Sequence, residues 1–279
     1  MKLIRFASWL AAIFAVGSMI LPRAFADEGP LDKSQPNGIT PEEIIQRFAA
    51  KEKEFKEAYD QYGYRESAKM QTLHGETVDG EFQEVFDVSF DDTGRRVKNV
   101  VFAPLPTLSR IGMTREDYDD LENGFPMVLT SAEISQYSVI YAGQQQEDEL
   151  HCYVFDVAPK QIEKNKRYFQ GRIWVDDHDF QIVKTYGQMV PETRANKKGK
   201  GQENLFPKFT TWREQIDGKY WFPTYTRADD TLRFATQDVR IREIVKYSDY
   251  KRFGSNVKIT YQGKEIPKAD QKDKPQPPQ

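Results

Sequence analysis

The residues that could carry catalysis or bind a metal are few in this sequence. It has one cysteine, Cys152, and three histidines, His74, His151 and His178, and no two histidines have the spacing of metal ligands. His151 and Cys152 are adjacent, so on a β-strand their side chains point to opposite faces of the sheet. A shared metal or a Cys–His catalytic pair is therefore not expected, and Cys152 is predicted to be a small apolar core residue.

Two charged segments are the remaining candidates for an ion site. Residues 176–179, Asp-Asp-His-Asp, carry the charge to attract a cation, but this composition is also typical of a hairpin turn whose Asp side chains bond the local backbone. We favour the turn. Residues 196–201 are rich in Lys and Gly and are predicted to form a solvated loop. Gly-rich phosphate loops and the GxSxG, HExxH and CxxC motifs are missing from the sequence, so no metal, cofactor or enzymatic activity is predicted.

Aromatic side chains provide the more informative chemistry. They make up 13% of the chain and crowd consecutive predicted strands in its second half. In the strand predicted over Tyr168–Val175, alternation places Phe169 and Ile173 on one face and Trp174 on the other. Because both faces carry apolar bulk, the sheet is either covered on both sides or curled around an apolar hollow that a lipid can occupy. Composition alone leaves an ordinary helix-covered core equally open.

The elements that position these aromatic residues begin with a helix. Thr40-Pro41-Glu42-Glu43 has the capping residue, the first-turn proline and the glutamate of a capping box. Apolar residues at helical spacing follow as far as Tyr62, which predicts an amphipathic helix of about twenty residues. A second helix is predicted by the same capping signal from Thr114 to about Asn123.

The rest of the chain alternates with a period of two and predicts β-strands joined by short turns, which favour antiparallel neighbours. Strand–helix–strand alternation is missing, so the predicted fold class is mainly β (α+β). We expect a curved antiparallel sheet or half-open β-barrel of about ten to eleven strands, covered on one side by helices. The predicted strands are Tyr64–Leu73, Glu81–Phe90, Arg95–Ala103, Gln136–Gln144, Leu150–Ala158, Tyr168–Val175, Phe180–Met189, Phe209–Ile216, Tyr220–Arg227 and Val239–Tyr250.

The N-terminal residues of the chain predict export. Residues 1–26 combine a basic start, a short apolar run and Ala24-Phe25-Ala26, the pattern of a cleaved signal peptide. The periplasm is therefore the expected location. Removing Lys2, Arg5 and Arg23 takes the formal charge from −3 to −6, which argues against nucleic acid as a partner. Residues 27–39 are expected to be a flexible leader, 40–262 the folded domain, and 263–279 a disordered polar tail.

A hairpin in the second half resembles a known family. Residues 171–176, Gly-Arg-Ile-Trp-Val-Asp, followed by 180–184, Phe-Gln-Ile-Val-Lys, resemble the hairpin of the LolA/LolB-like superfamily of outer-membrane lipoprotein-sorting proteins. The capped first helix, the early meander and the later strands fit the same layout over roughly residues 40–259. The resemblance implies a half-open barrel with an apolar cavity for acyl chains, and a periplasmic role in binding lipids or lipoproteins.

These observations predict a periplasmic carrier that binds a lipid or a lipidated protein, acts as a monomer and contacts the membrane transiently. The alternative is a non-catalytic envelope interaction protein with a solid core, whose exposed strand edges recruit a protein partner. For the carrier, the predicted lid residues are Ile45, Phe48 and Phe55. The predicted cavity-wall residues are Trp174, Phe180, Tyr186, Trp212, Trp221 and Tyr225.

Overall fold

The computed structural model describes residues 28–91, 93–113, 129–163, 166–191, 193–195, 202–204, 206–234 and 236–253. The predicted signal peptide, the second helix at Thr114–Asn123, the 196–201 loop and the polar tail at 263–279 lie outside these residues. Within them, no helix has the length and apolar character needed to cross a membrane.

Helix α1 spans Pro41–Tyr59, and its start follows the predicted capping box. The Thr40 hydroxyl accepts a hydrogen bond from the Glu43 backbone N–H at 3.2 Å, and the Glu43 carboxylate accepts one from the Thr40 N–H at 3.1 Å. Both bonds satisfy backbone donors that the first turn leaves without intrahelical partners. The side chains that α1 buries, which form one stripe along the helix, are Ile44, Phe48, Ala49, Glu52, Phe55, Ala58 and Tyr59.

Twelve strands form one antiparallel sheet in the described part of the chain. Ten of them follow one path, β3-β2-β1-β12-β11-β10-β7-β6-β5-β4, while β8 and β9 pair with each other and β9 with β11. The strands are β1 (Tyr62–His74), β2 (Thr77–Phe90), β3 (Arg96–Phe102), β4 (Tyr137–Glu147), β5 (Leu150–Pro159), β6 (Tyr168–Asp176), β7 (Ile182–Val190), β8 (Thr193–Ala195), β9 (Gln202–Asn204), β10 (Phe209–Ile216), β11 (Tyr220–Arg233) and β12 (Asp238–Arg252).

The predicted fold class is confirmed, because the sheet is antiparallel and does not close on itself. Several strand ends differ from the prediction: β2 begins at Thr77, four residues before its predicted start, and β4 runs to Glu147, three residues past its predicted end. Phe180 lies in the β6–β7 turn with a φ of 60°, so β7 begins at Ile182. β11 continues to Arg233, six residues past its predicted end, because it pairs with β12 as far as Asp238.

Two apolar clusters join α1 to one side of the sheet, which we call the helix face. The first, beside the N-terminal half of α1, is centred on Phe48, Phe155 and Ile173. The second, beside the C-terminal half, includes Phe55 and Phe222. Since neighbouring residues of a strand point to opposite sides, Val154 and Trp174 lie on the other side, the outer face, where a smaller cluster forms. The core of the domain is therefore the layer between α1 and the sheet.

The two edges of the sheet differ. Beside β4, Glu28 and Asp32 of the predicted leader form antiparallel bridges with Glu147 and Gln144. The Asp32 N–H donates to the Gln144 carbonyl at 2.8 Å, and the Gln144 N–H donates to the Asp32 carbonyl at 2.7 Å. The other edge is β3, whose described partner is β2 alone. The leader thus covers the C-terminal part of the β4 edge.

The close approach of β6 and β7 gives a first prediction. Gly171 lies opposite Gly187, and a methyl group on Gly187 would lie 2.3 Å from the Gln170 carbonyl oxygen and 2.7 Å from the Phe169 ring. Gly187→Ala should therefore lower the free energy of unfolding by about 1–3 kcal/mol, measured by urea denaturation. Gly112→Ala is the control, since a methyl group there meets no atom within 4 Å. Equal stability of the two variants would contradict this account.

Candidate functional site

The candidate site is the interface between α1 and the helix face, because it brings the predicted lid residues onto an apolar sheet. Phe48 and Phe55 are fully buried, and Ile45 is half-buried against the first cluster. The Phe48 ring lies 5.7 Å from that of Phe155, and the Phe55 ring lies 5.5 Å from that of Phe222 in an edge-on arrangement. Within the described residues, the space under α1 is thus occupied by its own side chains.

A buried ion pair stands in the middle of this apolar layer. Arg213 on β10 donates to the Glu52 carboxylate of α1 at 2.6 Å and 3.3 Å. Both side chains are almost completely shielded from water. The guanidinium also lies 4.3 Å from the centre of the Phe55 ring, a cation–π contact. Because each charge is removed from water, each depends on the other, and the pair fixes the position of α1 on the sheet.

Aromatic rings surround the C-terminal end of α1. The ring centre of Tyr59 lies 5.3 Å from the ring centres of both Tyr64 and Phe222. Burial raises the pKa of the Tyr59 hydroxyl well above its ordinary value. Arg96 of β3 donates to the Tyr59 carbonyl at 2.6 Å and stacks on the Tyr59 ring at 5.2 Å. This arginine therefore caps the last turn of the helix and links it to the edge strand.

One carboxyl group is buried beside this aromatic cluster. Glu66 of β1 faces Phe86 and Tyr247 across the neighbouring strands. Burial raises its pKa to about 8, the nearby Lys98 opposes the shift, and Glu84 and Glu243 add to it. Burial therefore favours the neutral form of this carboxyl group.

The outer face holds most of the predicted cavity-wall residues. Directly opposed positions on four adjacent strands place Trp174, Lys184, Trp212 and Tyr225 in one row. The Lys184 ammonium lies 4.7 Å from the Trp174 ring and 5.8 Å from the Trp212 ring. It also bonds Glu147 at 2.7 Å and contacts Glu28 of the leader.

An open depression of about 840 Å³ lies beside this row on the outer face. Tyr186, which lies opposite Arg172, is exposed at its floor. Arg172 and Asp156 form a double hydrogen bond there at 2.8 Å and 3.0 Å. Its lining mixes charged and amide side chains with Trp174, Tyr186 and Ile140, so this depression is an open surface feature of mixed polarity and differs from an enclosed apolar hollow.

The other two predicted wall residues lie near turns. Phe180 stacks on Tyr153 at a ring distance of 6.3 Å and carries the Arg47 guanidinium 4.8 Å from its centre. It packs against the first cluster of the helix face. Trp221 packs against the outer-face cluster and donates its indole N–H to Asp179 at 2.8 Å. The six predicted residues are thus divided between two faces, and whether any of them contacts a ligand stays a prediction.

The residues considered first for chemistry have structural roles in the described part of the chain. Cys152 is buried in the outer-face cluster, and burial raises the pKa of its thiol. The predicted Asp-rich turn is confirmed, because the Asp176 carboxylate accepts hydrogen bonds from the His178 and Asp179 N–H groups at 3.2 Å and 2.9 Å. Among the described residues, no group of three His, Cys, Asp or Glu side chains is placed to hold a metal ion.

Sequence reasoning missed Glu52, Arg213, Glu66 and Lys184. The burial of Glu52 could have been predicted from its position, because it lies four residues after Phe48 and three before Phe55, within the apolar stripe of the helix. A charge at such a position indicates a buried partner. The other three lie on alternating strands, where the sequence does not identify the buried face.

The ion pair gives a second prediction. Glu52→Gln leaves Arg213 buried without its counter-charge, so the free energy of unfolding should fall by about 3–5 kcal/mol in urea denaturation. The double variant Glu52→Leu/Arg213→Met removes both charges and should recover most of that loss. The control is Glu57→Gln, on the exposed side of the same helix, with an expected change below about 0.5 kcal/mol. A Glu52→Gln variant as stable as the control would contradict the role assigned to the pair.

The buried carboxyl gives a third prediction. The folded-state pKa of Glu66 is raised above the ordinary value of 4.5, so the protein loses stability as the pH rises from about 4.5 to about 8 and Glu66 ionises. Gln at this position has no charge to bury. The stability of Glu66→Gln relative to the native protein should therefore increase over this window, by at least about 1 kcal/mol between pH 5 and pH 9. Thermal unfolding at several pH values measures this difference, and a constant difference would show that Glu66 does not titrate there.

Comparison with known proteins shows similarity in structure only. No protein-family model matches the sequence, and a search of curated proteins finds no similar sequence. A LolA superfamily protein from Nitrosomonas europaea is similar at 14% identity, covering 77% of this chain and 94% of that chain, with a TM-score of 0.31. A DUF1329 family protein from Desulfovibrio piger is similar at 13% identity, covering 79% and 95%, with a TM-score of 0.36.

A third similar structure is Pseudomonas aeruginosa MucB, solved as a complex with MucA, at 8% identity, 76% and 99% coverage and a TM-score of 0.20. A member of the LolA superfamily, which the sequence resembles, is thus among the solved structures to which this chain is similar. Since all three TM-scores are below 0.5, no ligand or residue role is transferred from these structures to this chain.

Proposed function

We propose that this protein is a non-catalytic, periplasmic binding protein that holds an acyl chain of a lipid or a lipidated protein between α1 and the helix face. The observation that carries this proposal is that one helix covers two adjoining apolar clusters on the same side of an open sheet. In this proposal α1 moves from the sheet and the acyl chain takes its place.

The free energies of burial of the α1 side chains and of an acyl chain support such an exchange. Burying Ile44, Phe48 and Phe55 contributes about 1.5–3 kcal/mol each, which amounts to roughly 5–9 kcal/mol for the three. An acyl chain with about fifteen methylenes contributes about 0.8 kcal/mol for each, or roughly 12 kcal/mol. An acyl chain can therefore replace these three side-chain contacts, whereas a ligand with fewer than about six methylenes cannot. The movement of α1 also separates the Glu52–Arg213 pair.

A second candidate function is an envelope interaction protein with a solid core. It is favoured by the finding that, in the described part of the chain, the side chains of α1 already fill the space against the sheet. In that case α1 is a permanent part of the core, and partners bind at the surface. The two functions differ in whether apolar ligands reach the helix face.

Quenching of tryptophan fluorescence by a brominated fatty acid gives the fourth prediction and separates these functions. Trp174, Trp212 and Trp221 belong to the outer-face row and cluster, and the fourth tryptophan is Trp9 in the predicted signal peptide. A reporter on the helix face is Tyr153→Trp, and the matched outer-face reporter is Tyr186→Trp. We expect the fatty acid to quench the added tryptophan of Tyr153→Trp and to leave that of Tyr186→Trp unchanged.

The other outcomes contradict the proposal in different ways. If the fatty acid quenches the outer-face tryptophans and that of Tyr186→Trp, but not the added tryptophan of Tyr153→Trp, the ligand binds on the outer face. A lack of quenching in every protein, together with a lack of co-purifying lipid in mass spectra, would favour the interaction protein.

A further inference from the structure

The helix face carries a buried cation whose carboxylate partner comes from α1. Arg213 lies on β10, a strand of the sheet, whereas Glu52 lies on the helix. The two side chains are 2% and 1% exposed, so neither charge is solvated by water. The function proposed above requires α1 to leave the sheet, and Glu52 then moves away while Arg213 stays. The cation therefore needs another anion while a ligand covers it.

Polar side chains beside Arg213 form a band across the otherwise apolar helix face. Thr211 lies two residues before Arg213 on β10, so both point to the same side of the sheet. Thr185 of β7 and Thr226 of β11 lie directly opposite Thr211 on the two neighbouring strands. All three threonines are buried, and the Thr211 and Thr226 hydroxyls form a hydrogen bond of 2.8 Å. On β11 this band lies between residues of the second cluster and residues of the first.

The guanidinium of Arg213 is oriented to bind a carboxylate. Its two terminal nitrogens donate to the two different oxygens of Glu52, at 2.6 Å and 3.3 Å. This fork of donors matches the planar shape of a carboxylate group. One of the same nitrogens lies 3.4 Å from the Ile182 carbonyl oxygen, a contact that does not depend on α1. A carboxylate carried by a ligand can therefore occupy the position that Glu52 leaves.

The charge of Arg213 distinguishes two classes of acyl ligand. A free fatty acid ends in a carboxylate, which is the group that Glu52 presents in the ligand-free protein. An acyl chain in an ester, thioester or amide linkage, as in a lipidated protein, is neutral at its carboxyl carbon. Covering Arg213 with a neutral chain would leave its charge against methylene groups, and burying a charge in this way is costly.

We propose that the ligand is a free long-chain fatty acid, and that its carboxylate takes the place of Glu52 on Arg213. This inference rests on the proposed function, since it requires an acyl chain between α1 and the helix face. The methylenes then lie over the apolar clusters that the side chains of α1 cover in the ligand-free protein. Arg213 is thus a specificity-determining residue that selects the ionised acid over its esters.

The fifth prediction compares dibromostearic acid with its methyl ester, at a pH at which the free acid is ionised. Binding is measured by titrating each ligand into Tyr153→Trp and following the quenching of the added tryptophan. We expect the acid to bind at least about ten times more tightly than the ester, because hydrogen bonds between charged groups are strong. The ester is the matched ligand, since it has the same chain and the same bromine atoms.

The test variant is Glu52→Leu/Arg213→Met in the Tyr153→Trp background, because it removes both charges together. It should bind the acid and the ester with equal affinity. The matched control is Asp156→Leu/Arg172→Met, which removes an arginine–carboxylate pair from the outer face. The control should keep a preference of at least about tenfold for the acid. The ligand comparison in Tyr153→Trp leaves the ion pair unchanged, so it tests the inference even if the test variant does not fold.

Two results would overturn this inference and leave the proposed function in place. They are equal affinity of Tyr153→Trp for the acid and its ester, and a preference for the acid that persists in Glu52→Leu/Arg213→Met. A lack of quenching by both ligands would instead contradict the proposed function, and the inference with it.

Discussion

The packing of α1 against the sheet is the interaction on which the other features depend. The helix contributes one apolar stripe, and the sheet contributes aromatic residues from β5, β6 and β11. The Glu52–Arg213 pair lies inside this layer and permits one position of the helix, because any other separates two charges that are shielded from water. The domain thus has a core that is apolar in its bulk and polar at one point.

That arrangement has opposite consequences for stability and for ligand binding. Aromatic contacts and the ion pair hold α1 in place in the ligand-free protein. The same contacts are what an acyl chain must replace, so long apolar chains are favoured over short ones. The outer face differs from the helix face. There, the Lys184 ammonium lies near the rings of Trp174 and Trp212 and forms ion pairs with two carboxylates, those of Glu28 and Glu147.

The sequence predicted the elements well and the contacts between them poorly. The capping box placed the start of α1, and alternation identified ten strands of an antiparallel sheet. The six aromatic wall candidates were not resolved by face, because both faces of their strands carry apolar residues and alternation alone does not say which face meets α1. Glu52 and Arg213 are 161 positions apart, and such a contact depends on strand order, which local patterns do not encode. The raised pKa of Glu66 has the same origin, since burial by distant residues causes it.

The most direct test of the central claim is amide hydrogen exchange along α1 with and without a saturating long-chain fatty acid. If the acyl chain takes the place of the helix on the sheet, the amides between Phe48 and Phe55 will exchange faster in the bound protein, while those of β5 and β6 stay protected. Unchanged or slower exchange in α1 with the ligand demonstrably bound would contradict the account, because it would mean that the helix remains in the core.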